Sequence, residues 1–247
     1  MRPTGPTYLS YSLGPGPLTP AVRALVIANG VGYLLTLVAP GLSIWLGLVP
    51  ALVVERWWLW QPVSYLFLHG GLFHLLFNML ALWMFGVDLE RRLGTRFFIR
   101  FYFVAGIGAA ATTLLVSLLP FGFSESLYAS VTVGASGAVY GLLVAFAMAY
   151  PHRPIYLYLL FPIPARVFVV IVGAISFLSS VSEPRGGVAH ATHLGGLVVG
   201  YLYLAGQRGR LWSSVRSQWL RWRLARLRKR FNVHEGGRKG DGGPWVH

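Results

Sequence analysis

Of the 247 residues, 55% are hydrophobic and only 11% charged, less than half the roughly 25% charge of a soluble domain; this excludes a water-soluble globular protein and points to the membrane. The absence of cysteine excludes disulfides, thiolate metal sites and a cysteine nucleophile. The net charge of +14 is uneven: eleven of the 21 Lys and Arg lie between Arg208 and Lys239, directly after the last apolar run.

In chain order, residues 1–20 are rich in Pro and Gly and lack the charged-then-apolar pattern of a signal peptide. They read as a flexible cytoplasmic lead. A first apolar run over 21–39 ends at Pro40-Gly41, which a helix does not pass easily. Residues 42–63 are too apolar for a solvent loop, yet are broken by Pro50 and Pro62 and carry Trp45, Trp57, Trp58 and Trp60. Tryptophan favours the headgroup boundary, so this stretch is expected to be a structured first loop sunk in the membrane interface. Span two is expected over 72–87, followed by a charged turn that carries Asp88, Glu90, Arg91, Arg92, Arg96 and Arg100. Span three covers 98–119, span four 134–150, span five 165–181 and span six 189–205. The fold class expected is therefore all-α, a polytopic protein of six transmembrane helices with a membrane-embedded first loop. The membrane domain runs over 21–206, and 207–247 form a basic cytoplasmic tail. Placing both termini in the cytoplasm puts nineteen Lys and Arg inside and two outside, as the positive-inside rule requires. The tail then faces anionic headgroups of the inner leaflet, which suits it better than nucleic acid does.

Polar side chains inside membrane helices are costly and are functional candidates by default. His74 and Asn78, four apart, share one face of span two, with His69 five residues upstream. Ser136 opens span four and Tyr140 follows one turn later. His193 opens span six, with His190 just before it. With both termini inside, these groups lie at one depth, in the outer third of the bilayer. Gly137 and Gly141 flank Ser136, and Gly196 and Gly200 follow His193 at +3 and +7, which allows close helix approach. Taken singly, a serine in a membrane helix bonds its own backbone and a glycine stripe serves packing. Their coincidence at one depth pairs Ser136 with His193. Neutral His193 would accept the serine proton and later protonate the leaving amine. Oxyanion donors would be the Ser136 backbone N–H, free because it opens a helix, with His74 and Asn78. No carboxylate lies at that depth to act as the Asp of a triad, so Tyr140 is the candidate for holding the imidazole by stacking. No residue cluster calls for a metal or cofactor.

These residues resemble the rhomboid family of intramembrane serine proteases. Gly134-Ala135-Ser136-Gly137 is similar to its fourth-span G-x-S-G, and His193 with Gly196 and Gly200 to its sixth-span H-x-x-G-x-x-x-G. His74 with Asn78 is similar to its second-span H-x-x-x-N, His69 to the histidine upstream, and Glu90 with Gly94 to its E-x-x-x-G. The resemblance covers about residues 20–206. It implies six helices around a water-filled cavity, a fifth-helix gate, cleavage of other proteins' transmembrane segments near the outer face, and a bacterial plasma-membrane location. Where the family has Trp-Arg in the first loop, this chain has Trp60-Gln61, which bears on how that loop is anchored. Two other readings compete: an inactive rhomboid-like protein that binds or escorts transmembrane clients, which typically lacks the serine or histidine present here, and a small-solute transporter, which the lack of an inverted repeat argues against.

Overall fold

The computed structural model of the chain describes residues 14–120, 124–157, 161–182 and 190–207. The first part of the lead, nearly all of the loop expected between spans five and six, and the basic tail from 208 lie outside the described residues. The chain divides into two units, Met1–Ala205 and Gly206–His247. The first unit holds every helix and strand described, apart from the final two residues of the last helix.

The elements are α1 (Pro20–Val38), α2 (Leu42–Leu46), α3 (Pro50–Arg56), α4 (Gln61–Ser64) with a tight turn Tyr65–Phe67, α5 (Leu72–Ala81), a wide π-turn Leu82–Gly86, and α6 (Val87–Leu93). Then come α7 (Thr95–Ser117), α8 (Ser124–Ala129), α9 (Ser136–Ala149), the strands β1 (Pro154–Leu157) and β2 (Phe161–Pro164), and α10 (Ala165–Ser182). A last helix, α11, covers 190–207. Three helices among the described residues are long and apolar enough to cross a membrane: Pro20–Val38, Leu72–Leu93 and Thr95–Ser117. Helices α9 and α10 are apolar but contribute shorter stretches, Ser136–Ala149 and Ala165–Ser180.

One local expectation is corrected. The charged segment Asp88–Arg92 is not a turn: α5, the π-turn and α6 form one continuous helix of 22 residues. The break comes only at Gly94, whose φ of 83° suits a residue without Cβ, and α7 starts at the next residue. The stretch after α9 forms a two-stranded ribbon. β1 and β2 pair antiparallel, Pro154 opposite Pro164 and Ile155 opposite Ile163. Three prolines here exclude a helix, while the β-branched and aromatic residues between them suit a short ribbon.

The first loop is built from short helices because its prolines start them: Pro50 opens α3 and Pro62 is the second residue of α4. Gln61, fully buried, ties the loop together. Its side-chain oxygen accepts the Val49 N–H at 2.9 Å and its amide donates to the Ile44 carbonyl at 2.8 Å. Trp60 donates to the Trp45 carbonyl at 2.8 Å, and Trp45, Trp58 and Trp60 stack in series at 4.9 and 5.3 Å. The anchoring expected of an arginine beside Trp60 is thus performed by a neutral amide.

Glu90 is buried and forms no ion pair among the described residues. Its carboxylate accepts the Ala21 N–H at 3.0 Å and the Val22 N–H at 3.0 Å, two of the N–H groups that a helix start leaves unpaired. Thr19 and Thr95 hydroxyls add bonds of 2.5 and 2.8 Å. Glu90 therefore caps α1 from another helix, and the positive end of the α1 dipole favours its charge. The neighbouring Arg91 guanidinium donates to the carbonyls of Pro15 and Pro17, and the Trp83 indole donates to Gly16, so residues 15–17 lie along this helix.

α9 is the central helix: Gly137–Val139 and Gly141–Phe146 are all buried, as expected for a helix apolar on every side. Replacing Glu90 by Ala should destabilise the protein by about 3 kcal/mol, since it removes a charged acceptor from several buried donors. Replacing exposed Glu125 should change stability by less than about 0.5 kcal/mol. Thermal unfolding in detergent micelles checks both.

Candidate active site

Ser136 is the first residue of α9. The backbone before it is not helical: Gly134 has φ 130°, a conformation side-chain-bearing residues avoid. The Gly134 N–H donates to the Tyr65 carbonyl at 2.9 Å. Tyr65 is fully buried and its hydroxyl donates to the Gly106 carbonyl of α7 at 2.7 Å. One tyrosine thus fixes the loop before Ser136 against α7, and the serine enters α9 with the first N–H groups of that helix unpaired within it.

His193 comes from α11, and its Nε2 lies 2.8 Å from Ser136 Oγ. The approach depends on glycine. A Cβ on Gly196 would fall onto the Gly137 carbonyl, one on Gly200 would lie 2.9 Å from Gly141 Cα, and one on Gly141 would lie 2.5 Å from Ala105 Cβ of α7. Thr113 of α7 and Thr192 share a buried hydroxyl–hydroxyl bond of 2.7 Å, which holds α11 one residue from the imidazole. The Tyr140 ring stacks on His193, with centroids 4.1 Å apart and planes inclined by 10°. His193 Nδ1 is buried and has no hydrogen-bond partner among the described residues. His190 meets His193 edge-on at 6.1 Å, and it is His193 that bonds Ser136.

His74 faces the same loop. A Cβ on Gly134 would sit 2.9 Å from His74 Cε1 and Nε2 and 3.6 Å from Ser136 Oγ. His74 Nδ1 accepts the Gly70 N–H at 3.4 Å; a nitrogen that accepts carries no proton, so Nε2 carries it and faces the serine loop as a donor. Asn78 is buried one turn further along, but its amide donates to the His74 carbonyl at 2.9 Å. That commits one of its two amide hydrogens to its own helix, and no hydrogen bond joins it to Ser136 among the described residues. His69 packs edge-on against His74 at 5.0 Å, buried, with neither ring nitrogen bonded among the described residues. Among the described residues no group of three or more His, Asp or Glu could hold a metal ion.

Sequence reasoning singled out Gln61 only as a departure in the first loop, and it missed Tyr65 and Ser176. Ser176 of α10 donates to the Tyr140 hydroxyl at 3.4 Å. Tyr65 and Ser176 each act through a partner distant in the chain, and nothing in their local pattern marks them.

Residues 56–209 match the family model described as the Rhomboid domain. The chain is 33% identical over 138 residues to "Rhomboid protein 1, mitochondrial" of Saccharomyces cerevisiae, covering 56% of this chain and 38% of that one. It is 31% identical over 156 residues to "Rhomboid protease GluP" of Bacillus subtilis, covering 63% and 27%. It is 31% identical over 192 residues to "Rhomboid protease GlpG" of Yersinia enterocolitica, covering 76% and 61%. The chain thus spans less than two thirds of the length of each of these relatives.

Because a Cβ at Gly196 would overlap the Gly137 backbone, Gly196→Ala should force α9 and α11 apart and lower the melting temperature. Gly30→Ala in α1, where a Cβ meets nothing within 4 Å, should leave it unchanged or raise it slightly. Melting curves of the two variants check the contrast.

Proposed function

Because the chain belongs to the rhomboid family of multi-pass helical membrane proteins, we propose that it is an intramembrane serine endopeptidase working through Ser136 and His193. The observation that carries this reading is the 2.8 Å contact between Ser136 Oγ and His193 Nε2 at the start of a buried helix.

The reaction follows from that contact. Neutral His193, with its proton on Nδ1, accepts the Ser136 proton at Nε2 while Oγ attacks the scissile carbonyl. The negative charge that develops on the carbonyl oxygen is met by the Ser136 N–H and the His74 Nε2–H, with the second amide hydrogen of Asn78 once the substrate is seated. His193 then returns the proton to the leaving amine, and the acyl group stays on Ser136. A water deprotonated by His193 releases it and restores the serine. Tyr140 keeps the imidazole aligned, and His69 supports His74 from the side. Gly134, Gly137, Gly196 and Gly200 permit the approach of loop and helices.

Helix length supports a site within the bilayer. α9 has 14 residues, about 21 Å at 1.5 Å per residue, against a hydrocarbon core of about 30 Å. Its far end is marked by Tyr150, whose ring lies 4.9 Å from the Arg92 guanidinium, as suits a headgroup boundary. Counted from there, Ser136 falls short of the opposite surface. The substrates proposed are therefore transmembrane segments of other membrane proteins, cut near the outer face. Also proposed are a cytoplasmic lead over 1–20, a membrane domain over 21–206 and a cytoplasmic tail over 207–247 held at anionic headgroups, in a bacterial inner membrane with both termini inside.

Labelling by a fluorophosphonate probe, together with cleavage of a single-span substrate in liposomes, tests the reading. Both should be lost in Ser136→Ala and in His193→Ala with folding retained, whereas a wild-type chain that neither labels nor cleaves would favour client binding without proteolysis. Removing one oxyanion donor, in His74→Ala or Asn78→Ala, should lower kcat by about 10²–10³. Protonation of His193 removes the base, so activity should fall on the acid side of the pH profile and hold on the alkaline side; activity that rises as the pH falls would contradict the assignment.

A further inference from the structure

We propose that Ser176 of α10 is a positioning residue for the base: by holding the Tyr140 hydroxyl it fixes the ring on which His193 is stacked, and so ties the placement of α10 to the alignment of the imidazole. The inference rests on the proteolytic reading above for its kinetic consequence, but not for its structural one.

The imidazole of His193 has three handles. Nε2 is engaged with Ser136. Nδ1, which in a triad would be fixed by a carboxylate, is buried and without a hydrogen-bond partner among the described residues. The ring face, stacked on Tyr140 at 4.1 Å, carries what remains. A stack fixes tilt and offset only as well as its second ring is fixed. Tyr140 sits on α9 one turn after Ser136, and the hydrogen bond at its hydroxyl comes from Ser176 Oγ.

Ser176 is an unusual residue in its place. It is 2% exposed, while Ile175, Phe177 and Leu178 around it are exposed apolar residues. A serine in a helix usually turns back to its own backbone, and others here do so: Ser180 donates to the Phe177 carbonyl, Thr112 to Gly108 and Ser117 to Leu114. Ser176 instead reaches across to α9. A buried hydroxyl on an apolar helix is costly unless it is bonded, so its partner explains its presence. The two oxygens lie 3.4 Å apart, beyond the roughly 2.5–3.0 Å usual between hydroxyls, so the contact is a weak one. A small outward shift of α10 breaks it and a small inward shift tightens it. Any substrate that displaces α10 thereby acts on the base through two contacts.

The test pairs kinetics with a spectroscopic readout. In liposomes, Ser176→Ala should lower kcat about three- to tenfold with KM unchanged, the loss set by the worth of one aromatic stack. Tyr140→Phe, which keeps the ring and removes the hydroxyl, should do the same. The double variant should be no slower than either single one, and Ser176→Thr should restore most of the rate. Independently of catalysis, the His193 ring protons in a Ser136→Ala background should lie upfield because of the Tyr140 ring current. They should move toward ordinary histidine shifts in Ser176→Ala. If the wild type does not cleave, the proteolytic reading falls while the ring shifts still test the tether. Unmoved His193 resonances in Ser176→Ala, or losses that multiply in the double variant, overturn the proposal.

Discussion

The contact on which the rest of the site depends is backbone against backbone: Gly137 and Gly141 of α9 against Gly196 and Gly200 of α11. Lipid supplies no hydrophobic force to press helices together, so they associate through close packing, and small residues permit it. Two glycine pairs one turn apart also fix a register. Ser136 precedes Gly137 by one residue and His193 precedes Gly196 by three, so setting the glycines sets the hydroxyl and the imidazole at 2.8 Å. A hydrogen bond tolerates only a few tenths of an ångström. A side chain at any of these glycines would consume more than that.

The second constraint is backbone satisfaction at depth. Irregular backbone is tolerated within a bilayer only where protein covers it. The chain leading to Ser136 is irregular, and it is paired against the first loop: Leu48 and Thr132 exchange bonds of 2.9 and 2.8 Å, and the Gly134 N–H reaches Tyr65. The link between α2 and α3, at Leu48, and the turn after α4, at Tyr65, thus supply hydrogen-bond partners to the serine loop, and Gln61 and the tryptophan stack hold the short helices around them. First loop and serine loop are a single construction made from segments far apart in the chain.

The apolar runs and their interruptions made the spans legible, and so did the polar residues within them, because a membrane helix leaves few reasons for a serine or a histidine. The charged run Asp88–Arg92 misled because charge density suggests a turn, whereas Glu90 turns inward to the start of α1 and Arg92 reaches the Ala149 carbonyl. Helix continues wherever such groups find partners, and those partners lie in remote parts of the chain. The ribbon at 154–164 was hidden by its length, four residues to a strand. Tyr65 and Ser176 were unreadable for a different reason. Each is an ordinary residue in an ordinary apolar stretch, and only the fold shows that its hydroxyl has one acceptor to find.

Among the described residues no carboxylate bonds His193 Nδ1, which fits the same accounting of donors. One carboxylate is buried among the described residues, Glu90, and it is met by two backbone N–H groups of α1 and the hydroxyls of Thr19 and Thr95. At the depth of the dyad an acid would find the Nδ1–H of His193 and little else, since α9 and α11 meet there through glycine. An ionised group taken out of water is costly unless it is paired and well bonded, and one donor does not offset that. A neutral ring on the imidazole face avoids the cost. It also moves the control of orientation from charge to shape, so the base is only as well placed as the helices that carry Tyr140 and its tether. A triad can lose some packing and keep its histidine aligned by electrostatics. In the proposed Ser136–His193 dyad, alignment would rest instead on how tightly α9, α10 and α11 close on one another.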